Sequence, residues 1–431
     1  MSKIILLVKN LYFSAKYLFN AKLFLNMNIN DRSYPKQKQT IIGICMDGTS
    51  YPYYEGAKEV MPNLQRFIKE GSMGMVKSVI PSFTNPNNMA IVTGVTPKVN
   101  GICGNFYWDT ELQQEVMMND PKYLKVPTIL SELSKNGRKV AVVTAKDKLR
   151  KMLAHNLDGI CFSAEFANQA TLEENGIENV EEGLMGKERP GIYDPYISVY
   201  CIEAGAKLLK REHFDVMYLT TTDFVQHKYA PGSADANDFL SKIDLWLGEL
   251  DKLGAIIGVT ADHGMQAKTN PDGSPKVQFI EQLLDAQNIK TRVILPITDP
   301  YVVHHGALGG YGTLYLEDKS QLKAAKEYLL SLDGIEKVLT NKEAVEEFEL
   351  PGDRIGDLVV LADSATTIGR TPDWHELDKV KEGLRSHGGE HCQEVPMIFN
   401  KKLNAEYSNK LASGTSRNFD LFHFLSNGFS N

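Results

Sequence analysis

The strongest constraint on this chain's fold is a pattern in which short apolar runs stop at a carboxylate. The clearest is Ala255-Ile256-Ile257-Gly258-Val259, which leads into Thr260-Ala261-Asp262-His263-Gly264-Met265. Neighbouring side chains on an extended strand point to opposite faces, so Asp262 and His263 can share a ligand only where the chain leaves the strand. Gly264 offers that exit. A carboxylate and an imidazole brought together there suit a divalent metal such as zinc, and they also make an ordinary strand-to-loop turn.

The pattern recurs along the chain. Residues 39–46 form a run ending at Asp47-Gly48, residues 138–144 are followed by Lys146 and Lys148, and residues 214–221 end at Asp223. Helical patterns at 61–70 and 236–250 fall between these runs, and such alternation from residue 40 to 264 implies a mainly parallel sheet covered by helices on both faces. Ligand sites in open sheets of this kind collect at the carboxyl ends of the strands. Three further stretches join the set. Asp223 and His227 are spaced to share a face if the segment turns helical. Thr84 lies just before a predicted helix, whose start supplies unpaired N–H groups able to bind a phosphoryl group. Leu384-Arg385-Ser386-His387-Gly388-Gly389 adds a glycine-flanked histidine.

Beyond residue 270 the units shorten, with strands expected at 291–296, 311–316 and 357–361 and a helix at 319–332. We read 271–384 as an inserted α+β cap, and 39–270 with 385–431 as the α/β core, closed by a strand at 395–399. The cap holds His304 and His305, whose roles the sequence leaves open, and His391 is assigned to a polar loop. Residues 1–38 are expected to be a disordered or dispensable extension. The first 26 carry Lys3, Lys9, Lys16 and Lys22 among apolar stretches and no acidic residue. These lysines interrupt the segment too often for a membrane span of roughly 20 apolar residues, and Met27 is a candidate start site.

A formal net charge of -7 gives the chain no general attraction to nucleic acid or to anionic membranes, so any bound anion needs a local site. The five cysteines, Cys45, Cys103, Cys161, Cys201 and Cys392, are scattered and include no C-x-x-C, which predicts reduced thiols in a cytoplasmic protein.

Taken together, Met46-Asp47-Gly48, Ser82-Phe83-Thr84-Asn85-Pro86-Asn87, Gly104-Asn105-Phe106-Tyr107, Thr144-Ala145-Lys146-Asp147-Lys148 and the Asp-His-Gly and Ser-His-Gly-Gly motifs make the chain resemble the alkaline phosphatase superfamily. The likeness is to its nucleotide pyrophosphatase/phosphodiesterase-like branch, and within that to the phosphonoacetate hydrolases. It runs from about Gln39 to the C-terminus. The resemblance implies two Zn2+ ions, one surrounded by Asp47, Thr84, Asp262 and His263, the other by Asp223, His227 and His387. It implies Thr84 as nucleophile, Asn105 as a donor to a phosphonyl oxygen, and Lys146 and Lys148 as the binders of a substrate carboxylate. The expected substrate is a small phosphonate, cleaved at its C–P bond through a threonyl-phosphate. A phosphodiesterase, nucleotide pyrophosphatase or phosphomonoesterase of the same superfamily is the enzymatic alternative, and a non-catalytic metal- or anion-binding protein the alternative of another class. No nucleic acid or stable membrane partner is expected, and a homodimer is left open.

Overall fold

The computed structural model describes residues 26–172, 177–297, 306–381 and 383–430. His304 and His305 lie outside these residues. The core is one sheet of seven strands: β1 (Ile41–Cys45), β2 (Ser72–Lys77), β3 (Val140–Thr144), β4 (Ile160–Ser163), β5 (Val216–Thr220), β6 (Ile256–Thr260) and β7 (Glu394–Phe399). Their spatial order is β2-β7-β6-β1-β5-β3-β4. Neighbours from β6 to β4 are all parallel, while β7 pairs antiparallel with both β6 and β2. β7 is therefore the one reversed strand. The expected α/β fold with a mainly parallel sheet is the observed one.

β1 shows why the runs are apolar throughout. All five of its residues are buried, as expected for a central parallel strand covered on both faces. Ile42 and Ile44 pack on one face with Phe239, Ile243 and Leu247 from the helix Ala234–Lys252. Ile41 and Cys45 face the opposite way, toward Tyr218 and the C-terminal helix Leu421–Asn427. Gly43 lies where that helix comes closest, and a Cβ there would sit 3.0 Å from the Phe422 ring.

A second sheet of four antiparallel strands lies within 271–384, in the order Thr291–Ile294, Tyr311–Leu316, Leu358–Ala362 and Ile335–Thr340. Alternation splits its side chains between two environments. Leu314, Leu358 and Val360 pack with Ala325 and Leu329 of the helix Leu322–Leu330, whereas Tyr311, Val359 and Leu361 join the main core. The helix expected at 319–332 is shorter than that pattern, because residues 319–321 form a 3-10 turn capped by Asp318.

The expectation for residues 26–38 needs correction. Asn26–Ile29 and Arg32–Pro35 form a hairpin, and Tyr34 is fully buried in the core. Arg32 pairs with Asp420, Arg138 donates to the Tyr34 carbonyl, and Gln37 donates to the carbonyl of Ser426. Polar residues conceal the hairpin in the sequence, since only Ile29 and Tyr34 turn inward. Truncating a buried aromatic costs about 3–5 kcal/mol. Tyr34→Ala is accordingly expected to lower unfolding free energy by that amount in urea titrations, and a loss below about 1 kcal/mol would show that the hairpin is not part of the core.

Candidate active site

The topology delivers most of the candidate site residues to one edge of the sheet. Asp47 follows β1, Thr84 follows β2, Lys146 and Lys148 follow β3, Asp223 follows β5, and Asp262-His263 follows β6. His387 precedes β7, and because that strand runs backwards its entrance lies at the same edge. Gly48 makes the first turn with φ near +66°, a conformation that favours glycine, and a Cβ there would press within 2.9 Å of Asp223. Its N–H donates to Asp262.

The imidazoles share one arrangement. Nδ1 of His227, His263 and His387 lies 2.7, 2.9 and 2.7 Å from the carbonyls of Arg385, Gly264 and Ser82 respectively. A carbonyl can only accept, so each Nδ1 carries a proton, and each ring when neutral offers its Nε2 lone pair inward. His227 Nε2 lies 2.9 Å and His387 Nε2 3.6 Å from Asp223 Oδ2. His263 Nε2 lies 3.3 Å from Asp47 Oδ1, 3.8 Å from Asp262 Oδ2 and 3.4 Å from Thr84 Oγ1. The rings of His263 and His387 stack at 3.6 Å, which joins the two groups.

This geometry calls for cations. Among the described residues two clusters have ligand atoms close enough for a metal, Asp223 with His227 and His387, and Asp47 with Asp223 and His263, all buried. Asp47 Oδ1 is buried and has no hydrogen-bond partner. Burial, reinforced by Asp223 and Asp262, pushes the Asp47 carboxyl well above the usual carboxylate range. Burial also opposes charge on Asp223, yet His227, Lys146 and His387 hold it well below that range. For His263, burial is outweighed by Asp262 and Asp47, and its pKa rises to about 9. His387 falls well below the imidazole range through burial and the neighbouring His263 and His227. Lone pairs face one another, and only a proton or a metal ion can lie between them.

Two asparagines missed in the sequence reading organise this edge. Asn88 donates to both the Thr84 carbonyl and Asp262 Oδ2, and accepts from the hydroxyls of Tyr218 and Thr220. It thereby ties the helix Thr84–Thr93 to an acidic candidate ligand. Asn87 bonds the backbone of Val79, Pro81 and Phe83, fixing the turn that presents Thr84. The i+3 and i+4 spacing from Thr84 was the available signal, but asparagines at a helix start read first as caps.

Thr84, Asn105, Lys146, Lys148, Asp223 and His387 line a pocket of about 540 Å³ counting its mouth. Lys146 Nζ lies 3.7 Å from Asp223 Oδ1. Asn105 is buried, its Oδ1 without a partner among the described residues and its Nδ2 3.4 Å from the Ile297 carbonyl. His391 lies away from this pocket, 2.8 Å from Glu336 on a half-exposed turn.

The family model of type I phosphodiesterase / nucleotide pyrophosphatase matches residues 41–390, and the chain belongs to that family. Two solved structures of phosphonoacetate hydrolase from Sinorhizobium meliloti, in complex with phosphonoformate and with phosphonoacetate, are each 46% identical to it. Both superpose with a TM-score of 0.87, over 93% of this chain and 98% of theirs, so within the family the chain is of the phosphonoacetate hydrolase type. Murine ectonucleotide pyrophosphatase/phosphodiesterase 5 shares the fold at a TM-score of 0.61 and 16% identity, covering 91% of this chain and 97% of its own. An uncharacterized pyrophosphatase/phosphodiesterase of Schizosaccharomyces pombe is 24% identical over 283 residues, 60% of this chain and 51% of that protein. A bis(5'-adenosyl)-triphosphatase of Xenopus laevis is 43% identical over 61 residues, 14% of each chain. The chain thus spans about half or less of the length of these two curated relatives. Among the described residues no helix is long and apolar enough to cross a membrane.

Metal binding must displace a proton wherever a ligand is protonated. Affinity for a divalent cation should therefore climb with pH through neutrality and level off above about 9, where His263 is already neutral. Calorimetric titration of the metal-stripped protein across that range tests this, and a flat profile would remove the competing proton.

Proposed function

We propose that this protein hydrolyses the C–P bond of phosphonoacetate to acetate and phosphate, using two Zn2+ ions and a threonyl-phosphate intermediate on Thr84. The observation that carries the reading is Thr84 Oγ1, half-buried at a helix start and 3.4 Å from His263 Nε2, in a pocket that Lys146 and Lys148 also line. The 46% identity to phosphonoacetate hydrolase supports it.

Asp47, Thr84, Asp262 and His263 would hold one ion, and Asp223, His227 and His387 the other. When bound, the pair supplies positive charge that eases proton loss from the nucleophile and stabilises the attacking and departing atoms of an in-line displacement. Thr84 Oγ1 forms the new bond to phosphorus as the C–P bond breaks. The electron pair departs on carbon, giving an enolate-like acetate fragment that takes a proton. Lys146 and Lys148 hold the substrate carboxylate, where that negative charge is delocalised. Asn105 donates to a phosphonyl oxygen through Nδ2. Water then hydrolyses the threonyl-phosphate, releasing phosphate and restoring the hydroxyl.

With two divalent ions and three aspartates the site carries a formal charge of about plus one, and the lysines raise it to about plus three. That suits a compact trianion better than a nucleotide diester. The test is to load the full chain with zinc and compare release of acetate and phosphate from phosphonoacetate with turnover of a nitrophenyl phosphate ester and a nucleotide diester. Much faster turnover of the diester would overturn the assignment. Thr84→Ala should abolish turnover while most bound metal, read by elemental analysis, persists, and full activity in that variant would eliminate the nucleophile. Lys146→Ala or Lys148→Ala should lower kcat for phosphonoacetate by about 10²–10³, the scale for one lost oxyanion donor. Turnover of a carboxylate-free ester should fall far less, and equal losses would remove the carboxylate role.

A further inference from the structure

The geometry points to Arg385 as the residue that positions His227 and His387 around Asp223, and so sets the affinity of the second of the two ions. The inference rests on the two-ion reading above. Arg385 lies in the short strand Arg385–Ser386, which pairs antiparallel with Gln266–Ala267 just beyond Asp262-His263. Its backbone carbonyl accepts the Nδ1–H of His227 at 2.7 Å. Its guanidinium Nε donates to the neighbouring carbonyl of Gln226 at 2.9 Å. One residue thus grips two consecutive positions with opposite polarity, an acceptor for the imidazole and a donor for the backbone beside it.

The helix that carries His227, Phe224–Lys228, has only five residues; its Val225 carbonyl accepts from the Tyr229 N–H, while the Gln226 carbonyl takes its donors from outside the helix. Something outside it must hold it. Tyr53 Oη lies 3.1 Å from the Gln226 carbonyl, 2.7 Å from that of Tyr229 and 3.1 Å from the Arg385 guanidinium. Gln226 Nε2 donates to Thr49, two residues past Asp47. The network connects the turn after β1, the His227 helix and the segment leading into His387. The following residues are fixed as well, through Ser386 to the Leu308 carbonyl and His387 to that of Ser82. Partners that orient a ligand imidazole change metal affinity on the order of 10–100-fold when lost.

The test is zinc titration of the metal-stripped full chain against a chromogenic chelator, for wild type, Arg385→Met, Arg385→Lys and Tyr53→Phe. Wild type should bind two equivalents, and a single equivalent would overturn the two-ion reading itself. Arg385→Met keeps the carbonyl that orients His227 and removes only the donor to Gln226, so one equivalent should lose about tenfold in affinity, the low end for lost outer-shell partners, with the other unchanged. Arg385→Lys keeps the charge without the planar fork and should restore only part of that loss. Wild-type affinity for both equivalents in Arg385→Met would overturn the inference, as would equal weakening of both. Should Arg385→Met fail to fold, Tyr53→Phe carries the test, with a smaller loss confined to the same equivalent expected. No loss there would overturn the inference.

Discussion

The structure depends on a shortage of protons at one edge of its sheet. Three imidazoles have committed Nδ1 to backbone carbonyls and turn lone pairs toward three buried carboxylates. Such a cluster, taken out of water, is costly unless a cation resolves it. Without metal the proton on His263 does part of that work, which is why its pKa climbs despite full burial. Divalent ions neutralise more charge at the same place. The fold and the chemistry are coupled there, because the strands end where the ligands begin.

The apolar runs made the central strands legible, since β1, β3, β5 and β6 are buried on both faces and read as continuous hydrophobic stretches. β2, with the sequence Ser-Met-Gly-Met-Val-Lys, was not recognised, because it lies at the sheet edge and is largely half-buried. The helix Ile197–Arg211 was missed because most of its circumference is covered, which blurs the amphipathic period. The candidate site was legible only as a set. The i,i+4 spacing of Asp223 and His227 is common by chance, whereas the reversal of β7, which brings His387 to the same edge, has no local signature in the sequence.

What was least legible is the layer behind the ligands. Asn88, Tyr53 and Arg385 contribute hydrogen bonds whose partners lie far away along the chain; Asn88, for instance, meets residues 218, 220 and 262. Local propensity cannot anticipate such contacts. A buried polar group must be satisfied once the fold exists, so these residues follow from topology and cannot be read before it.

The candidate metal ligands and the lysines proposed to choose the substrate follow different strands of this architecture. Asp47, Asp223 and Asp262 follow the central strands β1, β5 and β6. Lys146 and Lys148 follow β3, closer to the sheet edge, on the opening turn of the helix Asp147–Leu153. Lys146 is the link between the two regions, 3.7 Å from Asp223 Oδ1. In the metal-loaded site the ions would satisfy that carboxylate, weakening its hold on the ammonium group. On the proposed reading, the segment after β3 bears on substrate preference and the buried strand-end residues on the metal.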